Sequence, residues 1–345
     1  MASDLGAQAP EPSAPELSVI VPVFDECGNL RPLLDRLVPA LACVRSFEVV
    51  FVDDGSQDAT LATLREIGAA DSRVRALSFS RNFGKEIAIA AGIDAARGRC
   101  AVIMDADLQH PPEAIGKFVA KWREGYQNIY GVRESRDTDS PARKWLTGHF
   151  YRLFRAFGEI DLPEGAGDFR LLDRVALNAL KSLRERARFS KGLYAWIGFK
   201  SIGVPFEVAE RHSGDSKFSY RKLTRFAFDG IVSFTTVPLR AWTYIGTAIA
   251  AFAFVNAVYY LLEVLFVGVT APGFPSLIIS IMFFAGVQMI SLGVLGEYIG
   301  RVFAEVKGRP LYLVAEEVGG QKSGDVPRPA EAERPVEFVG TISKS

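Results

Sequence analysis

Apolar positions follow two patterns along the chain. Through the first half they come as short runs between polar turns. LSVIVPVF at 17–24 is a continuous apolar run of the length that suits a strand buried on both faces. A helical segment over 30–43 follows, and FEVVFVDD at 47–54 is a second strand ending in two carboxylates. Asp58 is placed to cap a helix running to about residue 69. VRALSFS is a third strand, 84–97 a helix, and CAVIMDAD at 100–107 a fourth strand. The helix expected over 112–124 opens on a proline, which the first turn tolerates. Strand then helix, four times over, predicts an α/β doubly wound sheet of Rossmann-like type. Such sheets bind ligands at the carboxyl ends of their strands. There the chain places Asp25 and Glu26, Asp53 and Asp54, and Asp105 and Asp107.

In the last third the apolar runs fuse. Residues 241–262 and 271–296 contain 22 and 26 consecutive positions without a charge. About 20 apolar residues cross a bilayer as helix, and neither run keeps a polar stripe, so both are expected to span. The connector at 267–274 has no Lys or Arg. Arg221, Lys222, Arg225 and Arg240 precede the first run, and Arg301, Lys307 and Arg309 follow the second. The positive-inside rule then puts both flanks, and both termini, in the cytoplasm. Glu263 sits near the outer end of the first run, within reach of the interface or as an intramembrane charge. YRKLTRFAFDGIVSF interleaves Arg and Lys with Phe, Leu and Ile, which reads as an interfacial amphipathic helix or a plain linker.

Composition sharpens this picture. Hydrophobic residues are 49% of the 345 and charged ones 23%, so the chain joins a soluble unit to a membrane unit. Forty basic and 40 acidic residues leave no net charge, which argues against a nucleic-acid partner. Cys27, Cys43 and Cys100 form no C-x-x-C pair and read as reduced thiols. The first 16 residues carry acids and prolines without an apolar core, so they read as a disordered tail rather than a signal peptide. The chain beyond about Glu316 reads as disordered too. The expected organisation is therefore a tail (1–16), a soluble α/β domain (17–216), an amphipathic segment (217–238), a two-helix hairpin (239–300) and a C-terminal segment with its tail (301–345).

The soluble domain lacks both common phosphate-binding loops. The first turn, VPVFDECGNL, has one glycine instead of G-x-G-x-x-G, and no G-x-x-x-x-G-K-[ST] occurs. Phosphates must then be handled by a metal or by side chains. Asp105, Asp107 and Gln109 fall at alternate positions. On an extended strand end, alternate residues face one way, and three oxygen donors suit Mg²⁺ or Mn²⁺. A D-x-D pair is also a common solvated turn; its place at a strand end, beside a second acidic pair, favours the metal. Arg133 and Arg143 lie in polar stretches where arginines are usually solvated. Asp168 reads alone as a helix cap, an ion-pair partner or a catalytic carboxylate. His110, His149 and His212 are scattered and read as non-ligands, and Phe150, Tyr151, Phe154 and Phe157 as a packing stripe or an interfacial helix face.

VPVFDE, VDDGSQD, RNFGKE, DADLQHPPE, GDFRLLDR and RHSGDSKF, in that order and followed by two apolar runs, resemble the polyisoprenyl-phosphate glycosyltransferases. These are inverting enzymes of the second glycosyltransferase family with a GT-A fold; bactoprenol-phosphate glucosyltransferases look closest, and dolichol-phosphate mannose synthases are more distant. The resemblance runs from about residue 17 to 313. Asp25 departs from it, standing where the family often has Asn. The resemblance implies that Pro22, Phe24, Glu26, Asp53 and Asp54 surround the base and ribose of a nucleotide sugar, with Asn82 and Lys85 nearby. It implies that Asp105, Asp107 and Gln109 hold a divalent cation on the donor diphosphate, and that Arg133 and Arg143 face phosphates. Asp168 takes the acidic position near the reacting centre. Arg211, Ser216 and Lys217 would grip the phosphate of a polyprenyl (undecaprenyl) acceptor. UDP-glucose as donor, a bacterial inner-membrane location and a homotetramer follow from the same resemblance. The competing readings are a processive polysaccharide synthase, which usually carries a Q-x-x-R-W string absent here, and a non-enzymatic lipid carrier or flippase subunit.

Overall fold

The computed structural model describes residues 14–133, 166–186, 188–207, 237–266 and 273–319. The four apolar runs form the parallel centre of a sheet: β1 (Leu17–Val23), β2 (Phe47–Asp53), β3 (Val74–Phe79) and β4 (Cys100–Ile103). Four further strands complete it: β5 (Asn128–Arg133), β6 (Ala166–Asp173), β7 (Ser201–Phe206) and β8 (Val314–Val318). The order is β7-β5-β6-β4-β1-β2-β3-β8. β6 runs antiparallel to β4 and β5, and β8 antiparallel to β3, so the GT-A, Rossmann-like sheet is mixed.

The pleat sorts the core into two layers. Val19, Val21, Val49 and Phe51 point to one face and pack with Leu30, Leu33 and Leu37 of α1 (Cys27–Ala40), Leu64 of α2 (Thr60–Ala70) and Phe118. Ile20 points the other way, against Ile89 and Ile93 of α3 (Lys85–Ala95). Phe118 belongs to α4 (Ile115–Arg123), while α5 (Arg174–Ser182) and α6 (Ser190–Trp196) lie on the side of α3. These largely apolar runs become strands because helices cover both faces of the sheet.

Two expectations change. The fourth strand stops at Ile103, so Asp105 and Asp107 lie in a loop, not on an extended strand end. The Asp105 N–H donates to His110 Nδ1 at 3.1 Å, and Leu108 adopts φ 62°, which turns the chain out of the sheet. The tail expected from about Glu316 begins later, because Glu316–Val318 lie within β8; the rest of that tail, beyond residue 319, lies outside the described residues. Arg65 grips Glu316 through two hydrogen bonds of 2.7 and 2.6 Å, and Val318 is buried against the core. Its acidic residues are the kind an edge strand carries to deter pairing with other chains.

The first predicted apolar run lies within helix α7 (Val237–Phe266) and the second lies largely within α8 (Phe274–Val306). Within α8, Ser280–Val306 is long and apolar enough to cross a membrane by length and composition; the apolar stretch of α7 over Tyr244–Asn256 is shorter. Phe252, Phe254, Ile281, Met282, Phe283 and Ile290 are exposed, an apolar surface that no other part of the described chain covers. Beyond α8 the chain returns to the sheet. Glu305 accepts from the Arg186 N–H at 2.7 Å, Tyr312 stacks on Phe79 with centroids 5.1 Å apart, and its hydroxyl donates to Asp94 at 3.0 Å. Ending the chain after Leu313 is expected to destabilise the sheet by about 2 kcal/mol, chiefly through loss of the buried Val318 side chain. Denaturant unfolding of the solubilised protein measures it, and an unchanged midpoint would show that β8 adds nothing. The amphipathic segment and the Phe150–Phe157 stripe lie outside the described residues.

Candidate active site

The carboxyl ends of β1 to β4 carry interlocking loops. After β1, Asp25 takes φ 55° and accepts from the Gln57 N–H at 2.8 Å, while its own N–H donates to Ser56 Oγ. The Glu26 N–H donates to Thr60 Oγ1, and Glu26 itself accepts from the Asn29 amide. Pro22 is the last residue but one of β1, and Phe24 is 37% exposed. The β1 and β2 loops are thus one unit, and an aromatic face stands open at its rim.

Asp53 and Asp54 are almost fully buried. Asp53 accepts from Ser56 N and from Ser78 Oγ at 2.7 Å. Asp54 accepts from the N–H groups of Phe83 (2.7 Å) and Gly84 (2.9 Å). Burial raises the Asp54 carboxyl, with the Asp53 charge adding to it, against those two hydrogen bonds. These aspartates therefore organise the loop holding Asn82. That loop passes so close to Gly55 that a Cβ there would lie 2.6 Å from the Arg81 carbonyl carbon, and Gly55 has φ +72°. Only glycine serves at that crossing.

Register explains how Asp168 reaches the same end. Ile103 of β4 pairs with Arg170 of the antiparallel β6, so Asp168 lies just beyond the end of β4, where Asp105 stands. Lys85, the first residue of α3, joins them. Its Nζ lies 2.7 and 2.9 Å from the two Asp105 oxygens and 3.1 Å from Asp168 Oδ2. Burial alone would raise the Asp168 carboxyl; Lys85 above all, then Lys191 and Arg170, hold it well below the usual carboxylate range. Burial alone would lower the Lys85 ammonium, and Asp105 and Asp168 instead raise it. Lys85 thus stays charged and Asp168 ionised.

Asp107 accepts from the Gln109 N–H at 3.2 Å, which closes the D-x-D turn. Among the described residues no group of three or more His, Cys, Asp or Glu forms a metal cage. What the turn offers is two carboxylates and an amide, an all-oxygen set that fits a hard divalent cation retaining other ligands. Any cation held by Asp105 would share that carboxylate with Lys85. His110 braces this turn from the protein interior. It is buried, stacks on Phe169 at 4.8 Å, and burial lowers its pKa, so the neutral ring can accept from the Asp105 N–H.

The fold therefore gathers Pro22, Phe24, Glu26, Asp53, Asp54, Asn82, Lys85, Asp105, Asp107, Gln109 and Asp168 at one end of the sheet. Arg133, exposed, ends β5 at that same end. Arg143, Arg211, Ser216 and Lys217 lie outside the described residues. Sequence reasoning missed Glu86, Ser190 and Tyr194. Glu86 follows Lys85 and accepts from the backbone N–H and hydroxyl of Ser190. The signal for α6 was weak, because SKGLYAW is too short to show a helical period.

A profile described as glycosyl transferase family 2 matches residues 18–181. An uncharacterized glycosyltransferase of Synechocystis sp. is 45% identical over 87% of this chain and 95% of its own length. A prophage bactoprenol glucosyl transferase homolog of Escherichia coli is 41% identical over 87% of this chain and 98% of its own length. The bactoprenol glucosyl transferase of Shigella phage SfII is 40% identical over 87% and 97%. Among solved structures, a mannosyltransferase from Pyrobaculum calidifontis in complex with GDP-Man and Mn2+ is 22% identical, covers 63% of this chain and 62% of its own, and has a TM-score of 0.43. That likeness is too distant to bear on function.

Proposed function

Because the chain belongs to glycosyl transferase family 2, we propose that it moves one hexose from a nucleotide sugar to a polyprenyl phosphate at the cytoplasmic membrane face, inverting the anomeric carbon. UDP-glucose is the donor and undecaprenyl phosphate the acceptor in this reading. The observation that carries it is the Lys85 ammonium between Asp105 and Asp168, which joins the D-x-D turn to the GDFR strand.

Phe24, Pro22, Glu26, Asp53 and Asp54 form the wall against the base and ribose, and Asn82 faces the donor. Asp105, Asp107 and Gln109 would hold Mg²⁺ or Mn²⁺, which would offset charge on the leaving diphosphate. A phosphate oxygen of the lipid forms the new bond to the anomeric carbon. The bond to the diphosphate breaks, and its electron pair leaves with the nucleoside diphosphate. The second pKa of a phosphate monoester is near ~6, so the nucleophile arrives ionised and needs little general-base help. Asp168, itself ionised, orients the acceptor or steadies positive charge at the anomeric centre. Lys85 keeps two carboxylates from repelling each other and the incoming phosphates. Arg133, Arg143, Arg211, Ser216 and Lys217 complete the phosphate contacts.

A polyprenyl acceptor stays in the bilayer, which gives the C-terminal helices their purpose. In this reading both α7 and α8 span, both termini are cytoplasmic, 217–238 lies on the interface, and four copies assemble. A cysteine introduced at Thr270 is expected to react with an impermeant thiol reagent in intact cells, and cysteines in either tail to stay unlabelled. Tail labelling from outside would reverse the orientation. The function itself is tested by incubating membranes with a panel of labelled nucleotide sugars. Label in a small organic-extractable lipid supports the transfer proposed. Label in long polymer indicates a processive synthase, and no incorporation with any donor a carrier.

A further inference from the structure

Among the described residues, four buried polar side-chain atoms lack a hydrogen-bond partner: Asp168 Oδ1, Arg170 Nε, Arg188 Nε and the Tyr194 hydroxyl. They come from a single neighbourhood. The Arg170 guanidinium lies 3.6 Å from the centroid of the Tyr194 ring, and Arg170 stands two residues from Asp168 on β6. Asp168, Arg188 and Glu86 are all close enough to Tyr194 for their charges to act on it. Arg170 and Tyr194 are each 2% exposed. Buried polar atoms are nearly always satisfied, by protein or by ordered water.

The chemistry of the four atoms defines what joins them. Three are donors: two guanidinium N–H groups and a phenol that burial keeps in its neutral O–H form. The fourth, Asp168 Oδ1, is an acceptor. Its sister oxygen Oδ2 already receives Lys85. A carboxylate held at one oxygen can still swing about its Cβ–Cγ bond; donors on both oxygens fix its plane. Water is the small group that accepts from a phenol or guanidinium and donates onward to a carboxylate.

Helix α6 ties this neighbourhood to Lys85. Ser190 and Tyr194 are four residues apart and share one face of the helix. Ser190 is anchored on Glu86, the residue after Lys85, and Tyr194 on Arg170, two residues past Asp168. One short helix thus braces both partners of the Lys85–Asp168 pair from behind.

We propose that Tyr194, together with Arg170 and through buried water, fixes the orientation of Asp168, which makes Tyr194 a positioning residue for the transfer step. This rests on the reading that Asp168 acts at the reacting centre. The test is Tyr194→Phe in the full-length membrane protein, which keeps the ring and removes the hydroxyl, assayed beside Asp168→Asn. The water-mediated tie to the Asp168 carboxylate is lost, so kcat is expected to fall about tenfold. KM for the nucleotide sugar and the thermal midpoint should stay unchanged. Arg170→Lys, which keeps the charge, should retain more kcat than Arg170→Met. Unchanged kcat in Tyr194→Phe overturns the proposal. So does a fall in kcat matched by loss of folded protein, since that assigns Tyr194 to stability alone. If Asp168→Asn is severe and Tyr194→Phe silent, only this inference fails. If Asp168→Asn leaves kcat intact, the role given to Asp168 fails with it.

Discussion

Asp168→Asn is expected to lower kcat by roughly 10³-fold, the scale of removing one preorganised charged group from a reacting centre. Donor binding, measured by calorimetry, should hardly change, because in the proposed reading the loops after β1, β2 and β4 would carry the nucleotide. Among the described residues, the substitution also leaves Lys85 its ion pair with Asp105. The pH profile separates orientation from general-base catalysis. Asp168 is held below the ordinary carboxylate range by Lys85, against the upward push of burial. Its ionisation therefore contributes stability at all pH values above that range, and this is lost only as pH falls through the depressed value. It cannot produce an acidic limb near neutrality. Such a limb, near ~6, belongs to the lipid phosphate and should persist in the variant. Strong rescue of Asp168→Ala by formate or azide, with loss of that limb, would restore the general-base reading.

Removing the divalent cation is expected to cost at least about 10²-fold in rate. Excess chelator and Asp107→Asn should act alike, because both take the counter-charge from the leaving diphosphate. Neither should unfold the protein or free it from the membrane, since the D-x-D turn is held by His110 and the Gln109 N–H rather than by the ion. Added Mg²⁺ or Mn²⁺ should restore the chelated enzyme and not the variant. Full activity in excess chelator would remove the metal from the account.

The central strands were legible because each is a short, largely apolar run between polar turns, and their burial on both faces is what such runs encode. The outer strands were not. β6 carries Asp168, Arg170 and Asp173 within eight residues, so GDFR stood out as a motif while its strand stayed hidden. Its direction follows from pairing with β4, a contact made across some 70 residues of sequence that no local pattern records. The end of β8 looked like the start of a tail because the chain from about Glu316 is rich in Gly, Glu, Lys and Pro, yet charge is ordinary on an edge strand. The D-x-D turn was identified for its chemistry but placed on extended backbone, because nothing local announced that His110 would capture the Asp105 N–H. The candidate site was legible where motifs carry its residues. It was silent at α6, since Ser190 and Tyr194 meet Glu86 and Arg170 far from them along the chain.

The measurement closest to the central claim uses purified protein in vesicles containing undecaprenyl phosphate and a divalent cation, supplied with UDP-glucose alone. The product is analysed by mass spectrometry and by NMR at the anomeric carbon. The account predicts a lipid heavier by one hexose, joined through a phosphodiester, with the anomeric configuration inverted from that of the donor. A polymer, a retained configuration, or an unaltered lipid with every nucleotide sugar supplied would contradict it.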